Sequence, residues 1–124
     1  MATRSHIGIK NSDGTIDYIY CHWDGYPSHN GEILVNNYTT RESINQLLDL
    51  GDLSSLDETT EKCIAYHRDK GESRLGTQRG NTTFENLLKD DGVDYVYIFD
   101  NDKWECYNTF HKKLIDLYEV LYKP

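Results

Sequence analysis

Residues 6–21 read His6-Ile7-Gly8-Ile9-Lys10-Asn11-Ser12-Asp13-Gly14-Thr15-Ile16-Asp17-Tyr18-Ile19-Tyr20-Cys21, and this stretch decides the fold class. From His6 to Lys10 apolar and non-apolar side chains alternate, the period of a half-buried strand. Asn11 to Gly14 is a hairpin turn signal, and Thr15 to Cys21 is a β-branched and aromatic run suited to a pleated surface. A β-hairpin follows from the chemistry of these positions.

Beyond the hairpin the pattern changes. Residues 22–27 (HWDGYP) read as a loop, because Asp-Gly and Pro both punctuate. Ser28 then caps a short helix running to about Tyr38. Thr39 with Glu42 makes a capping box for a second helix, where Ile44, Leu47 and Leu48 share a face and Gly51 stands at the C-terminal cap. Residues 52–60 read as a polar linker, residues 62–66 as a short strand, and residues 68–80 as a long loop of the kind that tends to be functional or mobile. Thr82 with Glu85 boxes a helix holding Phe84, Leu87 and Leu88. Residues 93–99 and 103–107 form a second hairpin around Asp100-Asn101-Asp102. Thr109 caps a terminal helix with Phe110, Leu114, Leu117 and Leu121 in one stripe. The order ββααβαββα predicts one α+β domain over residues 1–124, a mainly antiparallel sheet of about five strands with helices packed on one face.

Composition narrows the class. With 37% hydrophobic and 27% charged residues the chain is an ordinary globular sequence rather than a disordered one. Ten tyrosines stand against three phenylalanines. That excess suits binding surfaces, where a ring with a polar tip is useful, and it suits strands equally well. The net charge of −8 repels phosphate backbones, so direct nucleic-acid binding is not expected. No apolar run approaches the roughly 18 residues of a membrane span, and the short run after His6 is broken by Lys10, so neither a membrane nor a leader segment is expected. Cys21, Cys63 and Cys106 are odd in number and widely spaced, which fits reduced thiols in a cytoplasm.

Two segments carry most of the candidate chemistry. In the loop His22-Trp23-Asp24-Gly25-Tyr26-Pro27, two large aromatics, a histidine and a carboxylate follow directly on a strand, where loops display functional groups. A purely local account of the same residues has Trp23 plug the core, Asp24-Gly25 make the turn and Pro27 set up the helix. The second segment, residues 62–79, holds Lys62, Arg68, Lys70, Arg74 and Arg79 against Asp69 and Glu72, whereas residues 42–61 carry six carboxylates and no base. Arginine forks suit phosphate, so Arg68, Arg74 and Arg79 with Tyr66 and His67 can hold an anionic ligand; balancing the acidic helices is the plainer role. If the strands before these two loops lie close in an antiparallel sheet, the loops are expected to meet at one rim and form a joint site.

Several named chemistries drop out. Gly71-x4-Gly76 has the spacing of a phosphate-binding loop, but Thr77-Gln78 replaces its Lys-Ser/Thr. There is no nucleophile elbow or zinc-protease helix. A zinc site from Cys21, His22, Cys63, His67, Cys106 and His111 requires distant elements to converge, so no metal and no cofactor are expected.

Ala2-Thr3-Arg4-Ser5 with Ile7-Gly8-Ile9, the string from Ile19 to Pro27, Leu50-Gly51-Asp52-Leu53-Ser54-Ser55-Leu56, and Ala65-Tyr66-His67-Arg68-Asp69-Lys70-Gly71-Glu72 together resemble a family of small bacteriophage and prophage accessory proteins. The resemblance runs to about Glu72 and then fades. It implies a context rather than an activity: a phage gene product in the host cytoplasm, of the size and acidity common among antagonists of host defence. The expected function is therefore a binding protein acting on a host protein through an acidic face, or on a small nucleotide signal. The alternative is a small enzyme on a nucleotide or phosphorylated ligand, with His22, Asp24 and His67 in acid–base roles. Assembly into a homo-oligomer stays open.

Overall fold

A computed structural model describes residues 2–72, 78–89 and 92–122. The chain opens with strands β1 (Ser5–Lys10) and β2 (Thr15–Cys21). A single π-helical turn (Pro27–Gly31) leads into α1 (Glu32–Asn37) and α2 (Arg41–Leu48). Two short strands, β3 (Leu53–Ser55) and β4 (Ile64–Ala65), precede α3 (Tyr66–Lys70). Then come β5 (Gly80–Thr83), α4 (Phe84–Leu88), β6 (Tyr95–Asp100) and β7 (Lys103–Asn108). Strand β8 (Lys113–Asp116) and α5 (Leu117–Tyr122) complete the described chain.

Strand β1 lies at the centre of one sheet ordered β4-β3-β2-β1-β6-β7-β8, with β5 also pairing on β2. The hairpin read from the sequence is present, setting Ile7 opposite Ile19. The other edge of β1 runs parallel to β6, with Ile7 opposite Tyr97 and Ile9 opposite Phe99. Because side chains alternate across a strand, each row of the sheet feeds one of two cores. On one face Ile7, Ile9, Ile19, Cys21, Tyr97, Phe99, Trp104 and Cys106 meet Leu34, Ile44, Leu47, Leu48 and Leu117 from α1, α2 and α5. On the other, Ile16, Val96 and Ile98 meet Leu87, with Phe84 and Leu88 of α4 packed alongside.

This arrangement corrects the expected sheet of about five antiparallel strands with helices on one face. The described residues hold eight strands, two of the pairings (β1 with β6, β2 with β3) are parallel, and α4 covers the face opposite the other packed helices. The additional strands are short or lie where local signals pointed elsewhere. β3 comes from the expected linker, and β5 starts at the last residue of the expected loop and takes in Thr82, expected as a helix cap. Neither is long enough to show a period. β8 replaces the first half of the expected terminal helix. The Asn108 side-chain oxygen accepts from the N–H groups of Phe110 (2.9 Å) and His111 (3.1 Å), and Lys112 takes φ 54°, so the chain turns back as a hairpin. Phe110, expected on a buried stripe, is consequently 85% exposed, while Leu117 is fully buried.

Smaller shifts have similar causes. The box at α2 is Thr40 with Ser43 rather than Thr39 with Glu42, and α4 is capped by Thr83 through Asn86 N–H. The expected strand over residues 62–66 shrinks to Ile64–Ala65, because Tyr66 already begins α3. Gly51, as expected, ends α2 with φ 78°. No helix among the described residues is long and apolar enough to cross a membrane.

Gly8 is the tightest point of the sheet. A Cβ there would lie 2.6 Å from Ile16 Cγ2 and 2.9 Å from the Asp17 carbonyl oxygen. Neither neighbour can retreat without disturbing the β1–β2 ladder. Gly8→Ala is expected to destabilise the protein by about 1–3 kcal/mol, the usual cost of overpacking, as read by urea unfolding. Unchanged stability would mean that the hairpin is looser than this register requires.

Candidate functional site

The loop after β2 is anchored from three sides. His22 N–H donates to Leu53 O and Trp23 N–H to Ser54 O, both at 3.0 Å, so the first two loop residues extend the ladder onto β3. Gly25 N–H donates to Thr3 O at 2.8 Å, and the buried Tyr97 hydroxyl donates to Gly25 O at 2.5 Å. A side chain at position 25 would sit 2.7 Å from Thr3 O, so the close approach requires glycine. Asp24 takes φ 57°, the left-handed conformation that aspartate tolerates better than most residues. From below, the fully buried Asn30 amide reaches Ser5 Oγ, Cys21 Sγ and the Trp23 carbonyl, each at 3.4 Å.

That anchoring leaves the aromatics outside. Trp23 is 46% exposed and Tyr26 39%, so the local expectation that Trp23 plugs the core is corrected. Trp23 stands edge-on to the His22 ring at 4.7 Å, and Tyr26 edge-on to His29 at 6.0 Å. The Tyr26 hydroxyl donates to Asp24 Oδ1 at 3.4 Å, and the adjacent carboxylate pushes the phenol pKa up. His22 Nδ1 shares a 2.7 Å hydrogen bond with the Tyr20 hydroxyl, so His22 and Asp24 each face a tyrosine rather than one another.

The basic segment lies elsewhere. β3 runs parallel to β2 and antiparallel to β4, so β2 and β4 lie two strands apart and antiparallel, as expected, but from the shared Cys21–Leu53–Ala65 row this sends the loops in opposite directions rather than to one rim. Arg68 clamps its own neighbourhood: Nη1 donates to Thr60 O, Nη2 to Cys63 O and Asp69 Oδ2, and Nε to Asp69 Oδ1, over 2.7–3.0 Å. His67 Nδ1 lies 3.2 Å from Glu72 O, and Tyr66 N–H donates to Asp52 O. Arg79 joins the sheet to α2, its guanidinium bonded to Asp17 (2.8 Å), Asp49 (2.6 Å) and Asn45 (3.1 Å). Arg74 lies outside the described residues. Arg68 and Arg79, the two described arginines of this segment, thus spend their forks on this chain's own oxygens.

The three cysteines are buried and free. Burial pushes the thiol pKa values of Cys21 and Cys106 up to about 12 and raises that of Cys63, so all three stay protonated and poor as nucleophiles. Among the described residues no group of three or more His, Cys, Asp and Glu side chains is placed to hold a metal ion.

Next to the aromatic loop lies a cleft of about 360 Å³ between the π turn with α1 and the chain after β3. Ser28, His29 and Glu32 form one wall, and Leu56, Asp57 and Glu58 the other. Sequence reasoning missed it because its carboxylates come from segments 25 residues apart. The acidity of residues 42–61 was a signal for one wall only. The fold and this surface define a mixed-sheet α+β protein that presents aromatic and acidic groups from a fixed loop. No family model, no curated protein and no solved structure matches the chain.

Burial works to raise the Asp17 pKa, but hydrogen bonds from Asn81 and Asn11 and the Arg79 charge outweigh it and hold the carboxyl below its ordinary range. A lowered folded pKa contributes stability above the ordinary aspartate value of about 4, and that contribution drains away as the pH falls through the folded value. Arg79→Met is expected to cost about 1–2 kcal/mol at neutral pH, a deficit that shrinks as the pH falls through the acid range and Asp17 becomes protonated in both proteins. Melting curves across the acid range would show a constant gap between the two proteins if Arg79 did not act through Asp17. A thiol reagent at pH 8 should leave the native chain unlabelled and label three groups after unfolding; rapid native labelling of any one would contradict the burial described.

Proposed function

We propose that the chain is a binding protein that blocks a host factor by seating Trp23, Tyr26 and the adjoining acidic cleft on a basic site of that protein. The observation behind this reading is a pair of exposed aromatics on a backbone fixed by Thr3, Ser54 and Tyr97. Large apolar surface normally turns inward, and here the loop geometry holds it out. Rings presented on a rigid backbone lose little entropy on binding, and aromatics of this kind supply much of the energy at protein interfaces. Asp24, Glu32, Asp57 and Glu58 beside them suit a basic partner and make association fast and salt-sensitive.

Sequestration of a nucleotide draws less support, because Arg68 and Arg79 are already engaged by carboxylates and carbonyls. Acid–base catalysis draws less still, with His22, Asp24 and His67 each bonded to a different neighbour. The resemblance to phage accessory proteins supports a partner in the host cytoplasm.

The test is capture from a host lysate on the tagged chain, with melting measured in parallel. Trp23→Ala with Tyr26→Ala is expected to weaken capture by roughly a hundredfold, about 2.7 kcal/mol, at an unchanged melting temperature. Replacing Glu32, Asp57 and Glu58 by glutamine should flatten the salt dependence. Capture that survives both sets of changes, or a nucleotide released on denaturation in place of a protein, would sink the proposal.

A further inference from the structure

Exposed apolar surface is concentrated in one segment. Phe110, Ile115, Tyr118, Val120 and Tyr122 make up five of the eight large apolar side chains left exposed among the described residues, and all fall within residues 110–122. This segment forms β8, α5 and the turn before them. β8 is an outer strand: β7 takes one edge, and no described strand takes the other. α5 turns inward, burying Leu117 beside Gly31 of the π turn. An unpaired strand edge with apolar neighbours is a template for a further strand.

The charge order of the strand says which strand fits. Lys112 and Lys113 stand at its start, Asp116 and Glu119 at and beyond its end. Parallel addition of an identical strand would set like charges together, whereas antiparallel addition sets the basic start of each against the acidic end of the other. We propose that β8 is the seam of a symmetric homodimer, in which a second copy adds its own β8 antiparallel and one sheet runs through both chains.

Residues opposed across an antiparallel pair point to the same face, so only residues of like parity can stand opposite one another. The register centred on Leu114 sets Leu114 against Leu114 and Lys113 against Ile115 of the second copy, and brings Lys112, in the turn before the strand, toward Asp116. Asp116 is held for this contact: its carboxylate accepts from Tyr118 N–H at 2.9 Å and lies 3.9 Å from Lys103, which fixes it at the end of the strand. Phe110 and Tyr118, the two most exposed of the five apolar residues at 85% and 62%, bracket β8 at opposite ends. Antiparallel pairing brings Phe110 of each copy toward Tyr118 of the other, covering both.

Sedimentation of the full chain over a dilution series should show a dimer that dissociates on dilution. Lys112→Glu combined with Lys113→Glu should weaken it at least about tenfold while the melting temperature of the fold holds. Leu114→Cys stands opposite itself and should give a covalent dimer under mild oxidation, the native thiols being buried; Phe110→Cys, whose two copies lie at opposite ends of the seam, should not. If Leu114→Cys proves unstable, mixing Lys113→Cys with Ile115→Cys chains tests the same register. A monomer at every concentration, a dimer indifferent to the charge reversal, or cross-linking through Phe110→Cys as readily as through Leu114→Cys overturns the proposal.

Discussion

Strand β1 is paired along both edges and buried on both faces, and the other elements take their positions from it. A strand so enclosed is tolerable only because ladders on either side consume its backbone donors and acceptors. Its side chains divide the work: Ile7 and Ile9 feed the core beneath α1, α2 and α5, while His6 and Gly8 face the other way. The missing side chain of Gly8 lets Ile16 and Tyr18 approach the strand, and the smaller core under α4 forms around Ile16.

The candidate site is a by-product of the same packing. β2 leaves the sheet where Cys21 is the last side chain in the core, and beyond it the backbone is held by Leu53, Ser54, Thr3 and Tyr97 rather than by its own side chains. With the main chain fixed by others, Trp23 and Tyr26 are released from structural duty. The asymmetry between the two loops singled out in the sequence follows from this. In one, backbone contacts free the side chains; around α3 and β5, the Arg68 and Arg79 side chains bind backbone and carboxylates and are thereby occupied.

What the sequence revealed follows element length and locality. The hairpin of β1 and β2, the second hairpin of β6 and β7, and the buried face of α2 were legible because each shows several periods of its pattern. β3, β4 and β5 were not, since two to four residues carry no period and their partners decide their conformation. The stripe Phe110, Leu114, Leu117 and Leu121 has helical spacing, yet the bonds Asn108 makes to the following N–H groups override it. The loop's importance could be seen from its composition. The outward turn of Trp23 depends on Asn30 and Ser54, and the engagement of Arg79 on Asp17, Asn45 and Asp49, so neither is written in the surrounding residues.

The parallel pairing of β1 with β6 also governs the order in which the molecule can assemble. Arg4 and Asp94, which close that pairing at its edge, are separated by 90 positions along the chain. A nascent polypeptide can make the first hairpin early, but its innermost strand keeps one edge open until residues near Tyr95 have left the ribosome. Contacts of such sequence separation slow folding, because the loop must close before either core rewards it. The most buried strand of the sheet is thus among the last to be sealed.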